Sequence, residues 1–141
     1  MAISITGGCL CGAVRFRFDK PPIFTRVCWC RDCQYLSSGN ASVNAIFATE
    51  SFSLIGETAE YVSTADSGNV MRRRFCPTCG TPLFSEAADR PDLMVARAGA
   101  LDDPAIARPS SVIWTSSAPA WWSVGHGLPS CGRQPATIPE C

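Results

Sequence analysis

The sequence has a single histidine, His126, among its 141 residues, and it has no excess of charge of either sign. Twelve Lys and Arg balance twelve Asp and Glu, so no net positive field would hold the chain on nucleic acid or on an anionic membrane. No run of about 18 apolar residues is present, and the first residues lack the basic start and apolar stretch of a signal peptide. We therefore expect a cytoplasmic protein without nucleic-acid or membrane partners.

Helical patterns are also scarce. Residues 31–38 could form one or two turns before Gly39, and residues 103–107 could begin a turn with Pro104 at the first helical position. Most other segments are short and apolar or alternate apolar with polar residues, which is typical of half-buried strands. These segments are 14–18, 41–47, 53–55, 60–62, 70–75, 82–84, 93–97 and 112–114. The sequence predicts a mainly β fold.

The length and the 46% hydrophobic content suit one compact domain with a single core. We predict that this domain covers residues 1–130, and that residues 131–141 form a loosely ordered tail containing Cys131 and Cys141. Aromatic side chains of a small β domain are more often core than groove, so burial is expected for Trp114, Trp121 and Trp122.

Cysteine is abundant, with nine residues in the chain. In a reducing compartment, metal ligation is favoured over disulfides for clustered cysteines. Cys9 and Cys11 are spaced to lie on one face of an extended segment, and Cys76 and Cys79 form a C-x-x-C turn. Both spacings allow the sulfur separation of about 3.8 Å that tetrahedral zinc requires. These four residues, the first cluster, therefore predict a structural zinc site, with a redox pair or a disulfide as the alternatives.

A second cluster packs Cys28, Cys30 and Cys33 into one short segment with no fourth cysteine beside them. Three protein ligands and an open position are typical of a catalytic zinc. The alternatives are that Asp32 is a ligand, that the thiols are metal-free or form a disulfide, or that a distant side chain completes the site. Candidates for that distant ligand are His126, Cys131 and Cys141.

Three thiolates around Zn²⁺ give a site of formal charge −1, which still accepts a soft sulfur ligand. Arg26 and Arg31 could offset this charge, and the run 72–74 could do the same for the first cluster. A metal that stabilises a thiolate generates a nucleophile at neutral pH, because a free thiol has a pKa of about 8.5. The predicted substrate is therefore a thiol.

Four short segments stand in a recognisable order: GGCLCGAV at 7–14, CWCRDCQ at 28–34, FCPTCGTPL at 75–83 and AGALDDP at 98–104. They are followed by Ile113, Trp114, Pro119 and Trp121. This order and spacing resembles the glutathione-dependent formaldehyde-activating enzyme family, which also includes centromere protein V. The resemblance covers roughly residues 6 to 130.

The resemblance implies a small zinc-containing domain of the β-tent type. It matches the first cluster to structural zinc ligands and the second cluster to the ligands of a catalytic, more labile zinc. It also implies a carbon–sulfur lyase-type activity, in which glutathione or a similar thiol adds to formaldehyde or another small aldehyde to give a product such as S-hydroxymethylglutathione. Arg31 and Gln34 flank the second cluster and are predicted contacts for the glutathione-like thiol.

Two other functions fit parts of the sequence. One is a non-catalytic, zinc-stabilised binding module, in which the second cluster only shapes a loop. The other is a methionine sulfoxide reductase with Cys131 as its nucleophile, which the neighbours of Cys131 disfavour because the expected arginine and asparagine are missing.

Overall fold

A computed structural model describes residues 2–123 and 127–136, which contain ten strands and one short α-helix. The strands are β1 (Ile5–Gly8), β2 (Arg15–Phe18), β3 (Phe24–Cys28), β4 (Ser42–Ala48), β5 (Phe52–Ile55), β6 (Ala59–Thr64), β7 (Val70–Phe75), β8 (Pro82–Ala87), β9 (Leu93–Arg97) and β10 (Ser111–Ile113). The helix α1 is Arg31–Leu36, and short 3₁₀ turns cover Thr49–Ser51, Ala98–Ala100, Pro104–Ile106 and Thr115–Ser117. The prediction of a mainly β fold with little helix is confirmed.

The strands form two sheets. The small sheet has the order β1-β2-β5 and is antiparallel, and the large sheet has the order β10-β3-β4-β9-β8-β7-β6. Every pair in the large sheet is antiparallel except β10 and β3, which run parallel. No helix in the described ranges has the length and apolar character needed to cross a membrane.

The hydrophobic core lies between the two sheets. Phe16 and Phe18 of β2 pack against one face of the large sheet, where the ring of Phe18 stacks on Phe47 at a centroid distance of 3.8 Å and Phe16 meets Phe84 edge-on at 4.9 Å. Each such buried side chain contributes roughly 1.5–3 kcal/mol. Because side chains alternate along a strand, the residues between these core positions point to the opposite face of the large sheet. We call that opposite face the outer face.

The sequence did not predict β1 and β3. In β1, a Cβ atom at Gly7 would clash with the ring of Phe16 and with the carbonyl of Ala100, so a residue of low strand propensity is required there. In β3, alternation along the strand places Arg26 and Cys28 on the outer face, next to Asn44 and Ser42 of β4. Only β1 departs from strand propensity, since Phe, Thr and Val in β3 are common strand residues.

The three tryptophans for which burial was predicted differ in environment. Trp114 is buried with 6% exposure, as predicted, but Trp121 and Trp122 are 75% and 41% exposed, so the prediction is wrong for those two. Trp122 contacts Trp121 and the buried ring of Trp29 edge-on. The described part of the predicted tail, residues 131–136, begins beside β10, where the Cys131 N–H donates to the Val112 carbonyl at 2.8 Å. The division of the chain at residue 130 stays a prediction.

Candidate metal centres and the adjacent cavity

The first cluster brings together four sulfur atoms that all lie within 4.8 Å of one another. The Cys9 and Cys11 sulfurs are 3.5 Å apart, and the Cys11 and Cys76 sulfurs are 3.7 Å apart. Zinc held tetrahedrally by thiolates at about 2.3 Å requires nearly these separations. All four are free cysteines, so the alternative of a disulfide is not realised.

Backbone and side-chain donors surround these sulfurs. The N–H groups of Thr78 and Cys79 point at the Cys76 sulfur at 3.3 and 3.4 Å, and the Val14 N–H donates to the Cys9 sulfur at 3.2 Å. Hydrogen bonds from the Thr81 hydroxyl and N–H lower the pKa of Cys79 to about 5. Donors directed at sulfur stabilise the thiolate form, which is the form that binds a metal.

The first cluster lies between the two sheets, a position that suits a structural metal. Cys9 and Cys11 follow β1 of the small sheet, whereas Cys76 and Cys79 lie in the turn between β7 and β8 of the large sheet. Thr81 adds a contact between the same two turns, because its hydroxyl accepts a hydrogen bond from the Leu10 N–H at 3.1 Å. A metal at this point would fasten the two sheets together at one edge of the core.

The second cluster lies where β3 runs into α1. Cys28 is the last residue of β3, Cys30 is the N-cap of α1, and Cys33 is in the first turns of the helix. The Cys30 sulfur accepts a hydrogen bond from the Cys33 N–H at 3.4 Å, which takes the place of the usual hydroxyl or carboxylate cap. The three sulfurs lie within 4.8 Å of one another and belong to free cysteines.

The thiols of the second cluster share protons unequally. Hydrogen bonds from Cys28 and then Cys30 lower the pKa of Cys33 to about 2, and the positive charge of Arg97 acts in the same direction. The pKa of Cys28 is raised because it donates to Cys30 and Cys33 and is buried. Cys30 accepts from Cys28, which lowers its pKa, but donation to Cys33 and burial raise it overall to about 11. These directions favour Cys33 over Cys28 and Cys30 as the thiolate of the cluster.

The residues predicted as a possible fourth ligand of the second cluster lie in different places. The carboxylate of Asp32 pairs with Arg73 at 3.2 Å, and among the described residues no carboxylate joins the three sulfurs. Cys131 packs in the same buried group as Cys28 and Cys33, but it is in a disulfide bond and is not one of the ligand thiols. A disulfide is also incompatible with Cys131 as a free reductase nucleophile. His126 and Cys141 lie outside the described residues.

Arg31 and Gln34, the predicted thiol contacts, have other partners. Gln34 is buried, and its side-chain amide donates to the carbonyls of Trp29 at 2.8 Å and Ser117 at 3.0 Å. Arg31 is exposed, donates to the Gln34 side-chain oxygen and lies over the ring of Tyr35. Gln34 therefore ties the second cluster to the turn at Thr115–Ser117, and a role for either side chain in binding a thiol stays a prediction.

We expect Gln34→Leu to lower the free energy of unfolding by about 2 kcal/mol or more, because leucine fills the space but leaves the buried Trp29 carbonyl and the partly buried Ser117 carbonyl without this donor. The melting temperature should fall by about 5–10 °C in a domain of this size. Thermal unfolding followed by circular dichroism measures this, with Tyr35→Phe, an exposed neighbour on the same helix, as the matched control. Equal melting temperatures for both variants would contradict this role of Gln34.

One arginine of the run 72–74 is not where the sequence suggested. Arg72 pairs with Glu60 at 2.8 Å and Arg74 with Glu86 at 2.9 Å, whereas Arg73 is buried and reaches Asp32 beside the second cluster. Alternation along β7 places the middle arginine on the outer face of the large sheet. The interpretation of this run as partners of the first cluster is therefore wrong for Arg73. For Arg72 and Arg74, whose ion pairs are with glutamates, it stays a prediction.

A cavity of about 140 Å³ opens on the outer face of the large sheet, with the second cluster among its lining residues. Its floor is built from rows of side chains that face one another across neighbouring strands. One row contains Arg26, Asn44 and Arg97, and the next contains Phe24, Ile46, Val95, Ser85 and Arg73. Trp114 and the turn at 65–69 contribute to the walls. Arg31 and Gln34 are not among the lining residues.

Sequence reasoning missed Arg97. Its side chain donates to the Asn44 side-chain oxygen at 2.5 Å and lies close enough to Cys28 and Cys33 to interact with their charge. A signal was present in β9, where an arginine continues the outer-face alternation of Leu93 and Val95 in a central strand. An arginine at such a position is expensive to bury without a function or an anionic partner.

The donor sets fit metal binding. Both clusters offer only sulfur, and thiolate ligands select zinc, copper(I) or iron–sulfur centres over hard cations such as magnesium. The first cluster provides a complete set of four ligands, and the second cluster provides three beside a cavity. The fold and these clusters together define a two-sheet β protein with two cysteine clusters that could hold metal ions, one with four protein ligands and one with three beside a cavity.

Comparison with known proteins agrees with the motifs. The family model described as glutathione-dependent formaldehyde-activating enzyme matches residues 4–117, and the chain belongs to this family. No curated protein sequence matches the chain significantly. A crystal structure of a Rhodobacter sphaeroides protein aligns with a TM-score of 0.54 and 19% sequence identity, over 69% of this chain and 87% of that one. At this identity the alignment supports the fold alone.

Proposed function

We propose that the protein is a zinc-dependent carbon–sulfur lyase-type enzyme that adds glutathione or a similar thiol to formaldehyde or another small electrophile beside the second cluster. The observation that carries the proposal is the meeting of three free thiols and a cavity at one point of a chain that belongs to this family. Among the described residues, no fourth side chain completes the three-sulfur group, so a substrate sulfur has space to approach.

Zinc is the proposed metal at both clusters, structural at the first and more readily lost at the second. When bound at the second cluster, zinc would favour the thiolate form of a sulfur ligand at neutral pH. The reducing conditions of the cytoplasm, the predicted location, would keep the cluster thiols free.

The residues around the cavity would position and activate the reactants. Arg97 and Arg26 place positive charge near Cys28 and Cys33, which favours an anionic thiol over a neutral one. The apolar walls, including Phe24 and Trp114, limit the access of water. The thiolate attacks the carbonyl carbon, the electron pair of the C=O bond moves to oxygen, and that oxygen takes a proton.

The test is the rate of adduct formation between glutathione and formaldehyde with the zinc-loaded protein, compared with the spontaneous reaction. We expect Cys30→Ser to lower the enzymatic rate about 100-fold or more, since even indirect partners of metal ligands change activity 10–100-fold. Serine preserves the helix N-cap at this position, so the fold should survive and thermal unfolding serves as the control. No acceleration by the wild-type protein above the spontaneous rate would defeat the proposal.

A second experiment on the same protein distinguishes the proposed enzyme from a non-catalytic, zinc-stabilised binding module. After cobalt substitution, binding of a thiol sulfur at the second cluster should change the visible absorption spectrum. Two bound metal ions with no spectral response to glutathione would favour the binding module instead.

A further inference from the structure

Among the residues that the structure describes, the cavity beside the second cluster is lined by four arginines, Arg26, Arg73, Arg90 and Arg97, and by one acidic residue, Asp66. Asp66 is exposed and lies in the turn between β6 and β7. The polar character of the cavity is therefore cationic, although formaldehyde is uncharged and the net charge of the whole chain is zero. This local excess of arginine favours the binding of an anionic ligand.

The arginines of the cavity have few carboxylate partners among the described residues. Arg73 pairs with Asp32 at 3.2 Å, and Arg90 pairs with Asp92 at 3.5 Å. Within the described ranges, neither Arg26 nor Arg97 is in an ion pair with a carboxylate, and Arg97 donates to the neutral side-chain oxygen of Asn44. Since arginine stays protonated, these two positive charges are not balanced by a carboxylate of the described residues.

Hydrogen bonding identifies where the anion would sit. Arg26 Nη1 and Arg73 Nε are both buried, and neither has a hydrogen-bond partner within the described ranges. The Arg26 guanidinium lies 5.5 Å from the centroid of the Phe24 ring, which holds it on the outer face. Buried guanidinium donors are rarely left unpaired, and their preferred acceptors are the oxygens of carboxylates and phosphates.

The volume limits the ligand. A cavity of about 150 Å³ can hold benzene, which has six non-hydrogen atoms, so about 140 Å³ admits a group of similar size. Sites that enclose larger ligands measure about 300–1,000 Å³. A phosphate ester or a whole tripeptide would therefore extend out of the cavity, whereas a two- or three-carbon carboxylate fits inside it.

We propose that the cavity is a carboxylate subsite, and that one of the two reactants joined at the second cluster is a small carboxylate whose oxygens accept hydrogen bonds from Arg26. This inference rests on the proposed function and names its substrate class. The carboxylate belongs either to the thiol, as in a short mercapto acid, or to the electrophile, as in a short 2-oxo acid. In both cases a carbon–sulfur bond forms, the carbonyl π bond breaks, one proton passes from sulfur to oxygen, and the carboxylate is unchanged.

The thiol arm of the test compares mercaptoacetate with 2-mercaptoethanol, which is of similar size and uncharged. We expect mercaptoacetate to bind the zinc-loaded protein at least about tenfold more tightly in calorimetry, as a charge-assisted hydrogen bond would give. Arg26→Gln should remove this preference, because it lowers the affinity for mercaptoacetate more than the affinity for 2-mercaptoethanol. Arg17→Gln, an exposed arginine on the small sheet, is the matched control and should keep it.

The electrophile arm measures adduct formation by glutathione with glyoxylate and with formaldehyde. A preference for glyoxylate that Arg26→Gln removes assigns the subsite to the electrophile, and a preference seen in the thiol arm alone assigns it to the thiol. No preference in either arm, or a preference that survives in Arg26→Gln, overturns the proposal. If Arg26→Gln does not fold, Arg26→Lys replaces it and should weaken the preference, because lysine lacks the planar pair of donors.

The experiments distinguish failure of the carboxylate subsite from failure of the proposed enzymatic function. Mercaptoacetate binding requires no reaction, so a preference for it with no catalysis of adduct formation would leave the subsite in place and remove the enzyme. Catalysis without any carboxylate preference would support the enzyme and overturn the carboxylate subsite.

Discussion

Replacement of Cys76 by serine is expected to leave the chain largely unfolded at 25 °C, even with zinc present. Cys76 is fully buried, and two backbone N–H groups point at its sulfur. It is 65 positions from Cys11 in sequence, so a metal at the first cluster closes a long loop as well as joining two sheets. Serine is a poor zinc ligand, and its hydroxyl would be left among sulfurs without a metal to bind.

The magnitudes make this the largest effect on stability that we expect. A structural zinc provides roughly 10–16 kcal/mol of apparent binding free energy, and closing a loop of this length costs roughly 4 kcal/mol of chain entropy. The net contribution is similar to the whole folding free energy of a typical domain, about 5–15 kcal/mol. The core between the sheets would therefore not hold the fold without the metal.

Circular dichroism and one-dimensional NMR of Cys76→Ser, with and without zinc, measure this effect. The matched control is Thr78→Ala, since Thr78 is exposed in the same turn and contacts the Cys76 sulfur through its backbone N–H, which alanine retains. The control should unfold cooperatively near the wild-type temperature. A cooperative transition of Cys76→Ser within a few degrees of wild type would show that the first cluster does not hold the sheets together.

Both cysteine clusters could be found in the sequence because ligand spacing is a local property. The C-x-C and C-x-x-C spacings limit the distances between sulfurs before any tertiary structure forms. In the folded chain, the two halves of the first cluster meet with all four sulfurs within 4.8 Å of one another. The helix after Cys30 and the turn beginning at Pro104 were predictable for a similar reason, since caps and proline act within a few residues.

The cationic cavity could not be predicted, because it depends on register. Arg26, Asn44 and Arg97 are far apart in sequence and become neighbours only because β3, β4 and β9 pair as they do. A shift of one residue in any of these pairings would move the side chains to the core face. The sequence alone therefore reveals which residues could bind metal but not which charges surround the second cluster.

The affinity of the second cluster for zinc is expected to rise about 100-fold for each pH unit between pH 6 and pH 8. Metal binding requires all three sulfurs as thiolates. The pKa of Cys33 is already lowered to about 2, whereas the pKa of Cys28 is raised and that of Cys30 is raised to about 11. Two protons are therefore released when zinc binds in this pH range. Each released proton makes the affinity rise tenfold for every unit by which the pH increases.

Calorimetry in buffers of different ionisation enthalpy counts these protons directly for the second equivalent of zinc. We expect about two protons at pH 7, whereas three independent thiols with ordinary pKa values near 8.5 would release nearly three. Cys33→Ser removes the thiolate that initiates binding, so it should abolish the second binding step and isolate the protons that belong to the first cluster. A count near three for the wild-type protein would show that Cys33 is protonated before the metal binds, and that Arg97 and the neighbouring thiols do not prepare the site in advance.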